Sequence, residues 1–357
     1  MARSLDSLAA FRDPDADTVI DVRSPSEFAE DHVPGAISLP VLSDEERARV
    51  GTVYVQDSPF RARKIGAALV ARNAAAHLEG PLADKPGGWR PLVYCWRGGQ
   101  RSGAFATILA QVGWRAETVA GGYRAYRRLV VQAMHERALA HRLILLDGNT
   151  GTAKTALLAR LRERGVQVVD LEGLAHHRGS VLGVRPGGQP AQKAFEGALA
   201  HAFDALDPAR PVVVEAESSR IGARQIPPAV WAAMRSAARV EVRAPLEARA
   251  RYLTDAYADI IADTAALQGL LRQLVPLQGH EQVAEWERMA AEGRHVRLAK
   301  ELMERHYDPR YGKSRGRIGA RTLGTVAMER MDAAGLARAA DEIAALVGAA
   351  TGARAAE

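Results

Sequence analysis

The segment Gly148-Asn-Thr-Gly-Thr-Ala-Lys-Thr155 constrains this chain most, because such a loop needs a strand before it and a helix after it. An apolar run at 142–146 precedes the loop, and residues 154–164 have helical periodicity. In this context backbone N–H groups and the helix N-terminus hold a diphosphate, Lys154 reaches its outer phosphate and Thr155 is placed to hold a magnesium ion. The sequence therefore predicts a phosphate-binding loop.

All eight loop residues are candidates for phosphate contact: Gly148, Asn149, Thr150, Gly151, Thr152, Ala153, Lys154 and Thr155. The usual pattern has glycine where Ala153 stands, and a methyl group is harmless there only if the residue is helical. This departure argues against a generic fast ATPase. The alternative is a chance glycine-rich turn between a strand and a helix.

Short β-rich runs alternate with Ala- and Leu-rich helical stretches along all 357 residues, which is typical of parallel sheets covered by helices. The length favours two α/β domains, which we place at 1–138 and 139–357. The predicted strands are 18–22, 91–95, 116–119, 142–146, 166–169, 211–214 and 240–242. The predicted helices are 61–77, 102–112, 123–138 and 154–164.

The chain has one cysteine, which excludes an internal disulfide and a multi-cysteine metal site. Cys95 ends a predicted strand and opens the loop Cys95-Trp-Arg-Gly-Gly-Gln-Arg101, with a helix after it. The helix dipole, inward N–H groups and the charges of Arg97 and Arg101 lower the pKa of a thiol in such a position. We expect a catalytic thiolate; the alternative is an inert buried cysteine.

Composition and charge limit the classes of partner but do not identify one. The net charge of +6 permits a nucleic-acid partner without requiring it. No run approaches the roughly 18 apolar residues of a membrane span, and the first twelve residues carry charges before any signal-peptide core forms. We expect a cytoplasmic protein that does not bind a membrane.

Further candidates follow later strands. Glu215 and Glu217 end the strand 211–214 and are placed to bind a metal-bound water or to act as acid or base, although solvated loop carboxylates are an equal alternative. Arg178 is a candidate phosphate or tRNA contact, with a surface salt bridge as the alternative. His176 and His177 are adjacent and cannot share a helix face, so no zinc site is expected.

Three separated signatures resemble the rhodanese domain: the stretch 21–40, the loop from Cys95 to Ser102, and Gly121-Gly-Tyr123. That resemblance covers about residues 5–135 and implies a cysteine that carries sulfur or selenium as a persulfide or perselenide. The loop has one residue more than common single-domain rhodaneses. Its C-x5-R spacing is also that of cysteine phosphatases, so a phosphatase stays an alternative for this domain alone, although Tyr94 stands where those enzymes usually have His.

The segments 170–183, 215–222 and 306–311 extend the likeness. With a rhodanese-like domain before them, they make nearly the whole chain resemble the tRNA 2-selenouridine synthase family. The resemblance implies an N-terminal rhodanese-like parallel-sheet domain and a P-loop NTPase-like α/β domain with a helical C-terminal part. It also implies two co-substrates, geranyl diphosphate for S-geranylation of wobble 2-thiouridine and selenophosphate for its selenation through Cys95.

The same resemblance implies that the partners are tRNA, through its anticodon region, and an enzyme that supplies selenophosphate. Residues 305–321 are basic with interleaved tyrosines, which favours RNA contact by a set comprising Arg310, Tyr311, Lys313 and Arg315. The alternatives are an ATP-dependent tRNA thiouridylase, a plain sulfurtransferase, or a non-enzymatic RNA-binding module. A docking module would have no need of Cys95.

Overall fold

A computed structural model describes residues 1–12, 14–180, 182–310 and 321–352. The chain divides into two compact units. The first comprises residues 1–137 together with 190–205, and the second comprises 138–189 and 206–357. Residues 190–205, which the predicted bounds include in the second domain, pack with the first unit.

The strands alternate with helices along both units. In chain order the strands are β1 (Ala2–Arg3), β2 (Thr18–Asp21), β3 (Ile37–Ser38), β4 (Pro91–Tyr94), β5 (Glu117–Val119), β6 (Leu143–Gly148), β7 (Gln167–Val169), β8 (Val212–Glu215), β9 (Arg220–Ile221), β10 (Arg224–Gln225), β11 (Ala238–Arg243) and β12 (Thr322–Ala327).

The helices vary from one turn to about six. They are α1 (Leu8–Arg12), α2 (Pro25–Glu30), α3 (Asp44–Gln56), α4 (Pro59–Glu79), α5 (Gln100–Val112), α6 (Gly122–Val131), α7 (Lys154–Glu163), α8 (Leu171–Leu174), α9 (Gln192–Asp204), α10 (Pro228–Ser236), α11 (Leu246–Ala256), α12 (Ala258–Ile261), α13 (Thr264–Arg272), α14 (Val275–Gln278), α15 (His280–Ala291), α16 (His295–Leu302) and α17 (Ala333–Gly352). Two π-helical turns extend α6 and α16, over Gln132–Glu136 and Met303–Tyr307.

The first unit is built on a parallel sheet with strand order β1-β5-β4-β2-β3. β4 lies between two neighbours, and its four residues are all buried, as expected for a strand covered on both faces. The core around it includes Ile20, Val93, Phe105 and Leu109. The loop that follows β4 is therefore anchored to the most buried part of this unit.

The second unit repeats this plan with the parallel order β12-β11-β6-β8-β7. β6 is the central strand, and the chain passes to one side of it through β7 and β8 and to the other through β11. Ligands of open α/β sheets bind at the carboxyl end of such a strand. A group of helices, α11 to α16, is inserted between β11 and β12 and has its own core around Trp286.

The predicted α/β class is confirmed, and the seven predicted strands are all present within a few residues of their predicted bounds. The predicted helix 123–138 ends earlier as an α-helix and continues as a π-helical turn. The two-residue strands β1, β3, β9 and β10 and the longer strand β12 were not predicted. Two-residue strands carry too little periodic pattern to be recognised in a sequence.

Candidate functional site

Two loops hold the candidate chemistry, one in each unit. The first runs from Cys95 at the end of β4 to the start of α5, and its shape depends on glycine. Gly98 has a φ of 67° and Gly122 a φ of 55°. A Cβ on Gly122 would lie 2.2 Å from the Cys95 carbonyl oxygen, and one on Gly98 would lie 2.3 Å from that of Val119. The Gly121-Gly122 signature is thus required by close backbone packing against this loop.

The thiol of Cys95 is buried and its pKa is lowered. Burial is the largest single influence and opposes the thiolate. It is outweighed by the hydroxyl of Ser102, which donates to Sγ at 3.2 Å, by the N–H groups of Ser102 and Gly99, and by the charge of Arg101. The loop therefore stabilises an anion on the sulfur.

The two candidate arginines of this loop are placed differently. Arg101 donates to Glu27 of α2 at 2.8 Å, so its guanidinium is held in place, whereas the side chain of Arg97 is exposed. Burial raises the pKa of Glu27, but the bond from Arg101 outweighs this and the pKa is lowered. The stretch 21–40 thus contributes an anchor for the loop.

The stretch 21–40 also contributes buried contacts that support the loop after Cys95. The guanidinium of Arg23 is buried, pairs with Asp21 at 2.6 Å and lies 4.0 Å from the ring centre of Tyr123. The ring of Tyr123 in turn stacks on Trp96, with centres 5.2 Å apart. Tyr94 is fully buried, and its hydroxyl accepts a bond from the N–H of Val33, so it belongs to the core.

The second loop follows β6 in the second unit, and two of its glycines are sterically required. A Cβ on Gly148 would lie 2.5 Å from Thr152 Oγ1, and one on Gly151, whose φ is 84°, would lie about 3 Å from Leu253 and Arg249. Within the loop the Thr152 N–H donates to the Asn149 carbonyl. Lys154 begins α7 and its Nζ donates to the Gly148 carbonyl at 3.0 Å, so the ammonium lies over the loop.

Alanine would be harmless at position 153 only in a helical conformation, and this condition is not met. Ala153 has a φ of 58°, in the left-handed region, instead of the helical conformation. A methyl group in that region crowds the following carbonyl, which explains why glycine is the usual residue here. The buried Ala153 is held in this conformation by its surroundings.

A cavity of about 660 Å³, called here the phosphate cavity, opens beside this loop. It brings together residues from the loop, from α8, from the segment after β8 and from the inserted helices. Its charged lining includes Lys154, Glu172, Arg178, Arg185, Glu217, Arg239 and Arg310. Such a mixture of anion-binding groups and carboxylates suits a phosphorylated substrate and its metal ion.

Glu217 and Glu172 both line this cavity, and their side chains interact with each other. Burial and the charge of Glu172 raise the pKa of Glu217 to about 8, although Lys154 opposes the shift. Glu172 also accepts a bond from Thr155 Oγ1 at 3.3 Å. Gly179, with a φ of 69°, leaves room for both carboxylates. Glu172 was not among the predicted site residues, although it lies in the segment 170–183 that carries the family resemblance.

The other candidate carboxylate, Glu215, does not line the cavity. It is fully buried, accepts a bond from the Leu171 N–H at 2.9 Å, and burial raises its pKa well above the ordinary value. For magnesium, the hydroxyl of Thr155 and the carboxylate of Glu172 supply hard oxygen ligands of the kind that this ion prefers. No three metal-ligating side chains converge in the described part of the chain, so phosphate and water would complete the coordination.

Two ion pairs that no motif indicated hold the phosphate loop. Arg249 donates two bonds to Asp308, at 3.0 and 2.8 Å, and a third to the carbonyl of Thr150 at 3.1 Å. Arg239 of β11 pairs with Asp147 at 3.0 Å, just before the loop. A buried arginine that joins a carboxylate to a loop carbonyl fixes the position of that loop.

The remaining candidates are spread around the cavity. Arg178 pairs with Asp259 at 2.9 Å and lies 4.8 Å from the ring centre of Tyr257, while it still lines the cavity. Arg310 is exposed at the rim. Tyr311, Lys313 and Arg315 lie outside the described residues.

The adjacent histidines form local contacts. His176 bonds the Gly188 carbonyl, and His177 Nδ1 accepts a bond from the Gly179 N–H. As for membranes, none of the helices described in this chain combines the length and the apolar character of a span.

The two loops fall in two family matches. Residues 141–273 match the model described as the tRNA 2-selenouridine synthase AAA domain, and residues 4–129 match the rhodanese-like domain. A tRNA 2-selenouridine synthase of Aeromonas salmonicida is 35% identical over 348 residues, which cover 84% of this chain and 89% of that protein.

Two other synthases of the same name align over shorter stretches. Those of Alcanivorax borkumensis and Hahella chejuensis are each 38% identical, and the alignments cover 67% and 66% of this chain. They span just under two thirds of those proteins' own length, 66% and 62%.

Proposed function

Because the chain belongs to the tRNA 2-selenouridine synthase family, we propose that it replaces the 2-thio sulfur of the wobble uridine in tRNA by selenium in two steps. A geranyl group is first transferred from geranyl diphosphate to that sulfur, and selenium from selenophosphate then displaces the geranylated sulfur. One observation carries the proposal: the chain holds both a thiol of lowered pKa and a phosphate loop beside a large cavity.

The phosphate loop serves the first step. The uridine sulfur attacks C1 of the geranyl group, the C1–O bond breaks, and diphosphate leaves with the electron pair. Lys154 and the loop N–H groups stabilise the negative charge that grows on the leaving group. A magnesium ion bound by Thr155 and Glu172 would neutralise more of this charge. We assign Glu217, whose pKa of about 8 suits exchange near neutral pH, to accept the proton released from the uridine.

Cys95 serves the second step. Selenium in selenophosphate is already at the selenide level, so forming the perselenide that the rhodanese resemblance implies would need an oxidant. We assign the Cys95 thiolate to attack phosphorus instead. The P–Se bond breaks, selenide leaves with the electron pair and attacks C2 of the uridine, and the C2–S bond breaks to release geranylthiolate. Water then removes phosphate from Cys95.

The RNA is assigned to the rim of the phosphate cavity. Arg310 is exposed there and Arg178 lies deeper, and the basic segment continues into Tyr311, Lys313 and Arg315. Such side chains contact phosphates and stack on an unpaired base. The second partner we propose is an enzyme that delivers selenophosphate.

The test separates the two steps. Cys95→Ser keeps the loop but removes the nucleophile, so it should abolish selenation and leave geranylation intact. Lys154→Ala should slow geranylation by about 10²- to 10³-fold, the usual effect of removing one such charge interaction, yet still selenate tRNA that was geranylated beforehand. Wobble nucleosides are quantified by liquid chromatography with mass detection on thiolated and on pre-geranylated tRNA.

Loss of both steps in both variants, with folding and tRNA binding intact, would refute the division of labour. ATP consumption coupled to thiolation would favour a thiouridylase. Thiosulfate-dependent sulfur transfer with no requirement for Lys154 would favour a plain sulfurtransferase.

A further inference from the structure

A second cavity lies next to the phosphate cavity and differs from it in chemistry. Both are lined by five of the same residues, namely Thr150, Ser180, Leu253, Tyr257 and Tyr307. The phosphate cavity exposes many polar atoms, whereas the wall of the second exposes almost only carbon. A ligand bound across the junction would therefore meet polar groups at one end and apolar groups at the other.

The apolar cavity is formed by the inserted helices. Its wall consists mainly of aliphatic side chains from α11, α12, α13 and α16 and from the segment after Ser180: Leu182, Leu253, Ile260, Ile261, Leu267, Leu298, Ala299 and Leu302. Four of these, Leu182, Leu267, Leu298 and Leu302, also belong to the buried core around Trp286. One wall of the cavity is thus formed by packed core.

We propose that this cavity, called here the prenyl cavity, holds the isoprenoid chain of an allylic diphosphate whose phosphates lie on the loop at 148–155. The inference rests on the proposed function and names the part of the protein that recognises the hydrocarbon. Thr150 belongs to the phosphate loop and also lines the prenyl cavity, so the first carbons after the diphosphate enter it directly. A nucleotide bound in the same way would place its polar ribose and base against the apolar wall of this cavity, which is unfavourable because their polar groups would lack hydrogen-bond partners.

The junction between the two cavities is held by polar contacts. Tyr257 and Ser180 are joined by a hydrogen bond of 3.1 Å, and the ring of Tyr257 also packs under the guanidinium of Arg178. Tyr257 therefore presents its ring to the isoprenoid chain and its hydroxyl to the phosphate cavity. Since this cavity, at about 60 Å³, is far smaller than the phosphate cavity of about 660 Å³, it should accept a ten-carbon chain better than a fifteen-carbon chain.

The experiment measures equilibrium binding of geranyl, farnesyl and inorganic diphosphate to the full chain by calorimetry. Burial of three or four carbon groups should make geranyl diphosphate bind about 100-fold more tightly than inorganic diphosphate. Ala299→Phe fills the prenyl cavity and should remove most of that advantage while the affinity for inorganic diphosphate stays the same. Ala265→Phe adds the same ring at an exposed position of α13 outside the cavity and should change neither affinity.

A second variant tests the proposal by a gain. Ile261 is half-buried in the cavity wall. Ile261→Ala removes part of its side chain and lengthens the cavity, so the ratio of farnesyl to geranyl affinity should rise. Equal binding of geranyl and inorganic diphosphate, or an unchanged geranyl preference in Ala299→Phe, would refute the prenyl cavity and leave the phosphate loop assignment standing. Failure of all three compounds to bind, with Lys154→Ala indistinguishable from wild type, would instead refute the proposed function on which the prenyl cavity rests.

Discussion

The thiol loop (residues 95–101) and the phosphate loop (residues 148–155) have similar backbone structures but differ in where the anion lies. Each follows the central strand of a parallel sheet, each needs glycine for close backbone packing, and each ends at a helix N-terminus. In the thiol loop the anion is part of the protein, buried on Cys95 and bonded to Ser102. The phosphate loop borders a cavity with opposed carboxylates. The same backbone design can thus hold an anion on the protein's own sulfur or leave space for an anion beside the loop, according to what surrounds it.

The largest effect should come from removing the glycine on which the thiol loop closes. Gly122→Ala places a methyl group 2.2 Å from the Cys95 carbonyl at a positive φ, and should destabilise the first unit by about 3 kcal/mol. Selenation should be lost while geranylation continues. Gly103→Ala, in α5 with open space around it, is the control and should be neutral or stabilising. Hydrogen exchange over residues 90–125 distinguishes the two; equal protection in both variants contradicts the close-packing argument.

A smaller effect is expected from the hydrogen bond to the thiolate. Ser102→Ala removes the hydroxyl that donates to Cys95 Sγ, so the pKa of the thiol should rise and less thiolate should be present at pH 7. Reaction with iodoacetamide at pH 7 should become about tenfold slower, the effect of one hydrogen bond to a charged group. At a pH above both pKa values the two proteins should react at similar rates. A uniform slowing at every pH would indicate changed access to the sulfur instead.

The carboxylate pair gives the phosphate loop a pH dependence of its own. The pKa of Glu217 in the folded chain, about 8, lies above the ordinary value of 4.5 for a glutamate. Between these values the folded state binds more protons than the unfolded state, so the contribution of Glu217 to stability falls as pH rises. Glu217→Gln cannot ionise, so its Tm should exceed that of wild type by several °C at pH 8.5.

At pH 5 the two proteins should melt together. Magnesium should raise the wild-type Tm more at pH 8.5 than at pH 5, because an ion held beside Glu172 is attracted by the ionised carboxylate of Glu217, and it should do so less in Glu217→Gln. A Tm difference that does not vary with pH would exclude Glu217 as the titrating group.

The smallest effect concerns the left-handed alanine. Ala153→Gly relieves the crowding at a φ of 58°, worth about 1 kcal/mol, while the greater freedom of glycine in the unfolded chain offsets part of the gain. We expect a net stabilisation of about 0.5 kcal/mol by urea unfolding. Ala159→Gly, at an exposed position inside α7, should destabilise by about 1 kcal/mol. Destabilisation of similar size in both would contradict the strain at Ala153.

Much of this arrangement could be predicted from local sequence. The strands before Cys95 and Gly148 are apolar runs bounded by glycine, and their loops carry chemistry at fixed spacing, so each could be recognised within about fifteen residues. Glu172 could not be recognised this way, since it reaches Thr155 from a one-turn helix 17 residues further along. Nor could the pair of Arg249 and Asp308, separated by 59 residues, because only the folded chain brings them together. The conformation of Ala153 depends equally on what packs around it.

Helix α9 has a consequence for the order in which this protein is made. Glu196 is buried and bonds Arg127 and His135, and the ring of His201 stacks on Tyr126, so residues 190–205 complete the first unit. A ribosome therefore synthesises β6, the whole phosphate loop and α7 before the rhodanese-like unit has all its parts. A fragment that ends at residue 137 lacks the α9 partners of Tyr126, Arg127 and His135, so the first unit gains its last contacts only after residue 205 has been synthesised.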